Sequence, residues 1–412
     1  MNKQSFSTNK KLVIQILGGL ALYLISTTLS FATFSLIGGK PNGEVATPLP
    51  GQRESGFRID VAAPKTEVCP LNGGKFTVAE RKSWETKRPI AAMIENSAES
   101  RPPSGLGRAD IVYEAVAEGG ITRFMGVFYC NVAAKPVIVA PVRSSRIYYI
   151  TWAEEYGNNP LYIHWGGAND SCQTCPGGEK LAGTIDPRVN AIGYLSDLGW
   201  SGGSGNDLDG MGIGLPVFLG NEDRLDHPVA PEHTKEVFID EAYKEAQARG
   251  FAFKDSEGVA WNQSYTSWKF TTDSPVKTGV VSSIKFSFWD NAPLYDVEWK
   301  YDAASNSYLR FNGNKPHTDL EESNAQIMAK NVVVQYVKEE DEIDKEGHTF
   351  IKTVGTGDAI IFQNGKAIEG TWEKASEDGR TVFSDSNGVE IKFVGGPIWI
   401  EAVPTYQKAI YS

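Results

Sequence analysis

Histidine and cysteine are scarce in this chain, with five and four among 412 residues. A zinc centre wants several such ligands held together, so few places could form one, and neither a metal nor a cofactor is expected. The familiar nucleophile and nucleotide motifs are missing. There is no P-loop and no H-E-x-x-H, and neither G-x-S-x-G nor G-x-G-x-x-G stands in a strand–turn–helix setting. No motif therefore points to a serine hydrolase, a nucleotide-binding fold or a zincin. Positive charge is outweighed, with 40 Lys and Arg against 51 Asp and Glu and a net charge of −11. That balance argues against a phosphate-backbone binder, so no nucleic acid partner is expected. Charge of either sign is absent from Leu12 to Ile37, and no acid precedes Glu44.

That uncharged run would span about 39 Å as a helix at about 1.5 Å per residue, against a hydrocarbon core of about 30 Å. Lys3, Lys10 and Lys11 flank its amino side. The positive-inside rule puts residues 1–11 in the cytoplasm, a signal anchor at 12–37, and the bulk of the chain outside. The expected localisation is the cell membrane, single-pass and extracytoplasmic. The rival reading is a cleaved signal peptide, for which Ser30-Phe31-Ala32 is an acceptable small-x-small site. The run continues through Phe34, Leu36 and Ile37, further than a cleaved peptide requires. A lipid anchor would need a cysteine in or just after the run, and the first is Cys69.

Residues 38–86 read as a linker and arm, with Pro, Gly, Thr and mixed charge early and a short helix near Val78 to Thr86. Residues 87–260 read as an α/β domain with a partly parallel sheet. Pro89 to Ile94 is a buried strand. Ile111 to Ala117 and Ile121 to Cys130 form a hairpin about Gly119-Gly120. Pro136 to Ala140, a helix over Arg146 to Tyr156, and Leu161 to Trp165 form a strand–helix–strand unit with parallel strands. The helix shows Tyr149, Trp152, Ala153 and Tyr156 at i, i+3, i+4, i+7. A further helix is expected over Glu232 to Arg249. Residues 261–412 read as mostly β, with Asn312-Gly313, Asn364-Gly365 and Asn387-Gly388 as hairpin turns and Val332 to Val337 as a β-branched strand. The fold class is mixed, α+β and α/β, preceded by one transmembrane helix.

Three pairings of the four cysteines are possible; Cys69–Cys130 and Cys172–Cys175 are favoured, in keeping with an oxidising compartment. The leading ligand site is Arg143-Ser144-Ser145-Arg146, where two guanidiniums and two hydroxyls meet a helix start suited to phosphate, carboxylate or sulfate. The competing reading is a helix cap with two surface ion pairs. His164, Arg123 and Arg101 are added as candidate ligand-binding residues, with Asn169 and Asp170 on the loop after His164; Arg224 joins them only if the fold brings it there. His227 and His233 could hold a metal, though Pro228 and Pro231 suggest a stiff turn. Asp207-x-Asp209-Gly210 has only the start of a calcium loop.

Several blocks taken together resemble a known family. These are Arg88 to Asn96 (RPIAAMIEN), Arg101 to Leu106 (RPPSGL), Ala109 to Ala115 (ADIVYEA), Glu118 to Phe124 (EGGITRF), Pro141 to Arg146 (PVRSSR) and His164 to Gly167 (HWGG). Asp319, Asn331 to Val334, Gly370 to Trp372 and Trp399 to Glu401 continue the likeness. The chain resembles, over roughly 86 to 405, the YerB-type family of envelope lipoproteins, one of the numbered domains of unknown function. The resemblance implies a membrane-tethered extracytoplasmic protein of two family domains and no established activity. The chain departs from it in the anchor and in the block Ala230 to Thr234 (APEHT).

Two functions are weighed. One is a non-enzymatic envelope protein binding an anionic glycan, phosphate or carboxylate group, or an envelope partner. The alternative is an envelope phosphotransferase-like enzyme acting on polyprenyl-pyrophosphate-linked glycans, by analogy with LytR-CpsA-Psr enzymes. The anchor reading is tested by topology. Protease added to intact protoplasts should degrade the bulk of the chain. Full protection, or release of a soluble protein beginning near Thr33, would refute a retained anchor.

Overall fold

Strands that are apolar on both faces set the architecture. In a computed structural model that describes residues 63–132, 135–169 and 185–412, Ile90–Glu95 (β1), Ile111–Glu118 (β2) and Ile121–Phe128 (β3) are buried along nearly their whole length. Side chains alternate between the faces of a strand, so such strands need cover on both sides. The expected span at 12–37 and the pair Cys172 and Cys175 lie outside the described residues. No helix among the described residues is long and apolar enough to cross a membrane.

The three strands join Leu161–His164 (β4), Asp207–Asp209 (β5), Asn331–Glu340 (β6), Gly355–Gln363 (β7), Lys366–Lys374 (β8), Val382–Asp385 (β9) and Ile398–Pro404 (β10) in one sheet. Its order is β9-β8-β7-β6-β10-β2-β3-β1-β4-β5. β1, β4 and β5 run parallel, as do β6, β10 and β2. β3 is antiparallel to both β1 and β2. The sheet is therefore partly parallel, and those six parallel-running strands end on one edge. Both expected domain segments, 87–260 and 261–412, contribute to it: β10 lies directly between β6 and β2.

The hairpin about Gly119 and Gly120 forms as expected, both residues having positive φ. The strand–helix–strand unit forms differently. Ile138–Val139 pairs antiparallel with Lys235–Phe238 in a separate three-stranded sheet. Both flanks of β1 are already filled, by β3 and β4, so this segment has no place beside them. Lys235–Phe238 was expected to be helical; the helix begins only at Ile239. The later segment is mostly β, and Asn364 and Gly365, both at positive φ, close the β7–β8 hairpin.

Helix α1 (Val78–Trp84) starts at a capping box, in which the Glu80 amide donates to Thr77 Oγ1 and the Thr77 amide to Glu80 Oε2. Helix α2 (Ile147–Ala153) covers one face of the sheet. Its Trp152 stacks on Tyr113 with ring centroids 5.2 Å apart, and Tyr156 just beyond meets the Tyr113 hydroxyl at 2.8 Å. The arm is tied to this layer by the Cys69–Cys130 disulfide. Closing a loop of sequence separation 61 should stabilise the fold by about 4 kcal/mol. Beneath it Asp110 accepts from the amides of Tyr129 and Cys130 and from Asn72 Nδ2. Burial pushes its carboxyl up to about 7, against those bonds.

A second sheet, which includes Val297–Asp302 and Ser307–Asn312, packs on the other face. Trp299 meets Trp399 edge to face at 5.2 Å. Between the layers lies Arg310, wholly buried. Its Nη2 donates to Glu114 Oε2, its Nε stands 3.8 Å from Glu401 Oε1, and its guanidinium lies 4.8 Å from the Trp399 ring centroid. Glu114 and Glu401 are register partners on β2 and β10. Burial, then the charge of Glu114, pushes the Glu401 carboxyl well up. Arg310→Met would leave Glu114 buried without its cation. The expected cost is about 3–5 kcal/mol, read from the urea midpoint. Arg310→Met combined with Glu114→Leu should recover part of it. A loss below about 1 kcal/mol for the single change would show that the pair does not hold the layers together.

Candidate functional site

The end of β1, the turn before α2 and the end of β4 meet at the parallel edge of the sheet. The Arg143 amide donates to Met93 O, the Trp165 amide to Arg143 O, and the Ser145 amide to Gly166 O. The expected clustering of loops at this edge is therefore present, although the first strand of the unit belongs to another sheet.

Three guanidiniums gather there. Arg123, on β3, donates to Glu118 Oε2 at 3.0 Å and to Ser144 O at 3.2 Å. Arg146 donates to the other Glu118 oxygen and, at 2.7 Å, to Ser145 O. Burial works against the Glu118 charge, yet Arg123 and Arg146 hold its carboxyl down to about 2. Arg143 meets Glu95 Oε1 through Nε at 3.1 Å, while Glu95 Oε2 accepts from His233 Nδ1 at 2.7 Å. Arg123 and Arg146 are buried, whereas the Arg143 side chain is 26% exposed.

Other details differ from the sequence reading. Ser144 Oγ donates to Trp165 O, and Ser145 Oγ bonds the Tyr162 hydroxyl, so neither serine caps α2. Arg146 itself occupies the cap position. The helix has only seven residues, and its start is held by Arg146 O. Arg101 turns elsewhere, donating to Asn96 Oδ1, Asn96 O and Leu294 O. Arg224 is enclosed by carbonyls, those of Ser100, Pro102 and His233. Asp170 lies outside the described residues.

His164 offers no lone pair to a ligand. It is wholly buried, with Nε2 2.7 Å from Asp207 Oδ1 and Nδ1 2.7 Å from Gly166 O. Both ring nitrogens face acceptors, so both must donate, and the ring is an imidazolium. Burial alone would lower its pKa; Asp207, then Asp209, override this and raise it to about 9. Asp209 accepts from the amides of Gly166 and Met211. The carboxylates of the expected partial calcium loop are thus engaged within the fold. His227 pairs with exposed Asp226 and His233 with buried Glu95, so these histidines do not converge on a metal. The grouping of potential ligands among the described residues is Cys69, Asp110 and Cys130, whose two sulfurs form the disulfide.

Sequence reasoning missed Glu95 and Glu118 as the partners of the arginines. The signal was present: each acid ends an apolar strand at the edge where the arginine loop was expected.

Comparison with known proteins places the chain. The description "Protein of unknown function (DUF3048) N-terminal domain" matches residues 76–184, and its C-terminal counterpart matches 284–400. The chain belongs to this family. "Putative lipoprotein YerB" of Bacillus subtilis (strain 168) is 28% identical over 344 residues, 84% of this chain and 88% of that protein. The crystal structure of YerB protein from Bacillus subtilis matches with a TM-score of 0.63 at 25% identity, covering 84% of this chain and 99% of that one. The site residues on β1 to β4 and in the turn before α2 fall within the first family match, as does Glu114; Arg310, His317 and Trp399 fall within the second.

The charge on His164 makes a pH prediction. Its folded pKa, about 9, lies above the unfolded value of about 6.5. Its contribution is therefore complete below about pH 6.5 and lost as pH rises toward 9. Wild type should lose stability across that window relative to His164→Asn, by a few kcal/mol in total. Parallel urea-stability curves for the two proteins between pH 6.5 and 9 would show that the imidazolium is not present.

Proposed function

We propose that this chain is a membrane-tethered protein of the cell envelope, extracytoplasmic in bulk, that binds an anionic glycan, phosphate or carboxylate group through Arg143. The uncharged run with basic flank at its amino side supports the tether. The disulfide supports an oxidising location. The name of the Bacillus relative, a lipoprotein, is in keeping with attachment at a membrane surface.

One observation carries the ligand reading: three guanidiniums share two carboxylates. Glu118 is taken by Arg123 and Arg146, and Glu95 divides its oxygens between Arg143 and His233. Arg143 contacts its acid through Nε and is the member of the three that reaches solvent. Arg123 and Arg146 support it from within, by fixing the carbonyls of Ser144 and Ser145. The phosphotransferase alternative asks for free carboxylates beside the arginines to hold a divalent ion. Glu95 and Glu118 are both engaged by arginine, so binding is the better-supported reading.

The test separates Arg143 from its supports. Arg143→Gln should change stability in anion-free buffer by less than about 1 kcal/mol, as for a part-exposed ion pair. It should abolish the rise in melting temperature that pyrophosphate or an anionic glycan fragment gives the wild type, where charge-assisted bonds contribute about 1.5–3 kcal/mol each. Equal stabilisation of variant and wild type would remove Arg143 as the site.

A further inference from the structure

A cleft of about 260 Å³ opens between the turn after β1 and the hairpin turn that follows Ser307–Asn312. It is separate from Arg143. Ala98, Arg101 and Leu294 line it, with Asn312, Lys315 and His317. No acidic side chain is among the described residues that line it, although the chain carries 51 acids. Two cations, Arg101 and Lys315, stand at this cleft.

Its polar groups are oriented from the core. Glu114 Oε1 accepts from Asn96 Nδ2, which fixes that amide with Oδ1 turned away. Asn96 Oδ1 then accepts from Asn312 Nδ2 at 3.0 Å and from Arg101 Nε at 3.0 Å. Asn312 must therefore present its carbonyl oxygen on the other side. That oxygen is buried and has no partner. His317 is set by the same carboxylate through Arg310. Arg310 Nη2 donates to Glu114, and Arg310 Nη1 donates to His317 Nδ1 at 2.6 Å. Guanidinium has only donors, so His317 Nδ1 is an acceptor and Nε2 carries the hydrogen. That N–H is also buried without a partner. His317 is 3% exposed and Asn312 2%. Unpaired buried polar groups are costly, and two of them beside an open cleft call for a ligand that completes both.

We propose that this cleft binds a small carboxylic acid bearing an O–H or N–H donor on the adjacent carbon. The carboxylate meets Arg101, Lys315 and the His317 Nε2–H, and the neighbouring donor meets Asn312 Oδ1. The volume holds a molecule of that size, as one water takes about 30 Å³ of liquid. The cleft draws Arg101 from the first family match and Lys315 from the second, so the ligand bridges both.

Calorimetric titration of the full-length protein in detergent tests this, with lactate, N-acetylglycine, propionate and inorganic phosphate as probes. Lactate and N-acetylglycine should bind with Kd on the order of 1 mM, as suits acids so small. Propionate lacks the donor for Asn312 and should bind about tenfold more weakly. Lys315 is exposed, and Lys315→Ala should weaken lactate about tenfold. Ala98→Phe should fill the cleft and abolish binding, with the ligand-free melting temperature checking its fold; Lys315→Glu decides if that variant does not fold. Arg143→Gln should bind lactate as the wild type does, which separates this site from the one proposed above. No lactate or N-acetylglycine binding at tens of millimolar, or Lys315→Glu binding like wild type, would overturn the site. Propionate matching lactate, or phosphate exceeding both acids, would overturn the ligand class.

Discussion

The pairing of Glu114 with Arg310 is the interaction on which the rest depends. It places one fixed negative charge in the middle of the molecule and one cation beside it, both wholly buried. A buried ion pair is a weak source of net stability, but its orientation cannot drift without leaving a charge uncompensated. From Glu114 the order passes outward by hydrogen bonds with no freedom of direction, through Thr122 and Asn96 on one side and Arg310 and His317 on the other. Glu401 completes the arrangement, its carboxyl pushed well up by burial and then by the charge of the adjacent Glu114. The polar core is thus a template for the surface above it.

The elements were largely legible in the sequence; their partners were not. The apolar runs that became β1 to β4 declared themselves by composition, and α2 by the spacing of Tyr149, Trp152 and Tyr156. Asn364-Gly365 announced its hairpin because both positions need positive φ. Which strands pair is a matter of which edges are free, and that is a property of the whole sheet. Ile138–Val139 reads like a partner for β4, yet β1 occupies that position. For the candidate site, the arginine turn was visible as a motif, whereas its acids, Glu95 and Glu118, are distant in sequence and ordinary in composition. Arg310 carried a signal of its own. It shares a strand face with Tyr308 and Asn312, an apolar aromatic and an amide, which is an unusual place for a charge facing water.

The same contrast explains His164. A histidine beside two glycines at a strand end suggests chemistry, and only the acceptors on both sides of the ring reveal a structural cation. Its role is to knit the turn before α2, the Gly166 turn and β5, through Gly166 O and Asp207. The arginine cluster is built in a similar way, with two of its three members engaged in holding backbone carbonyls. Much of the charge at this edge therefore serves as scaffolding, and of the three arginines Arg143 is the one open to solvent.

The position of β10 has a consequence for how the protein comes into being. This strand follows the other nine in the sequence, yet it lies between β2 and β6 and pairs with both in parallel. Until it arrives, the early hairpin and the late meander each present an open edge, and neither can close against the other. Parallel pairing across so long a chain is slow to form, and unpaired edges invite association. A chain folding as it is made from its amino end would thus hold two incomplete half-sheets, and become one body only when residues 398–404 slot between them. A truncation that removed this strand would leave two half-sheets and no finished centre.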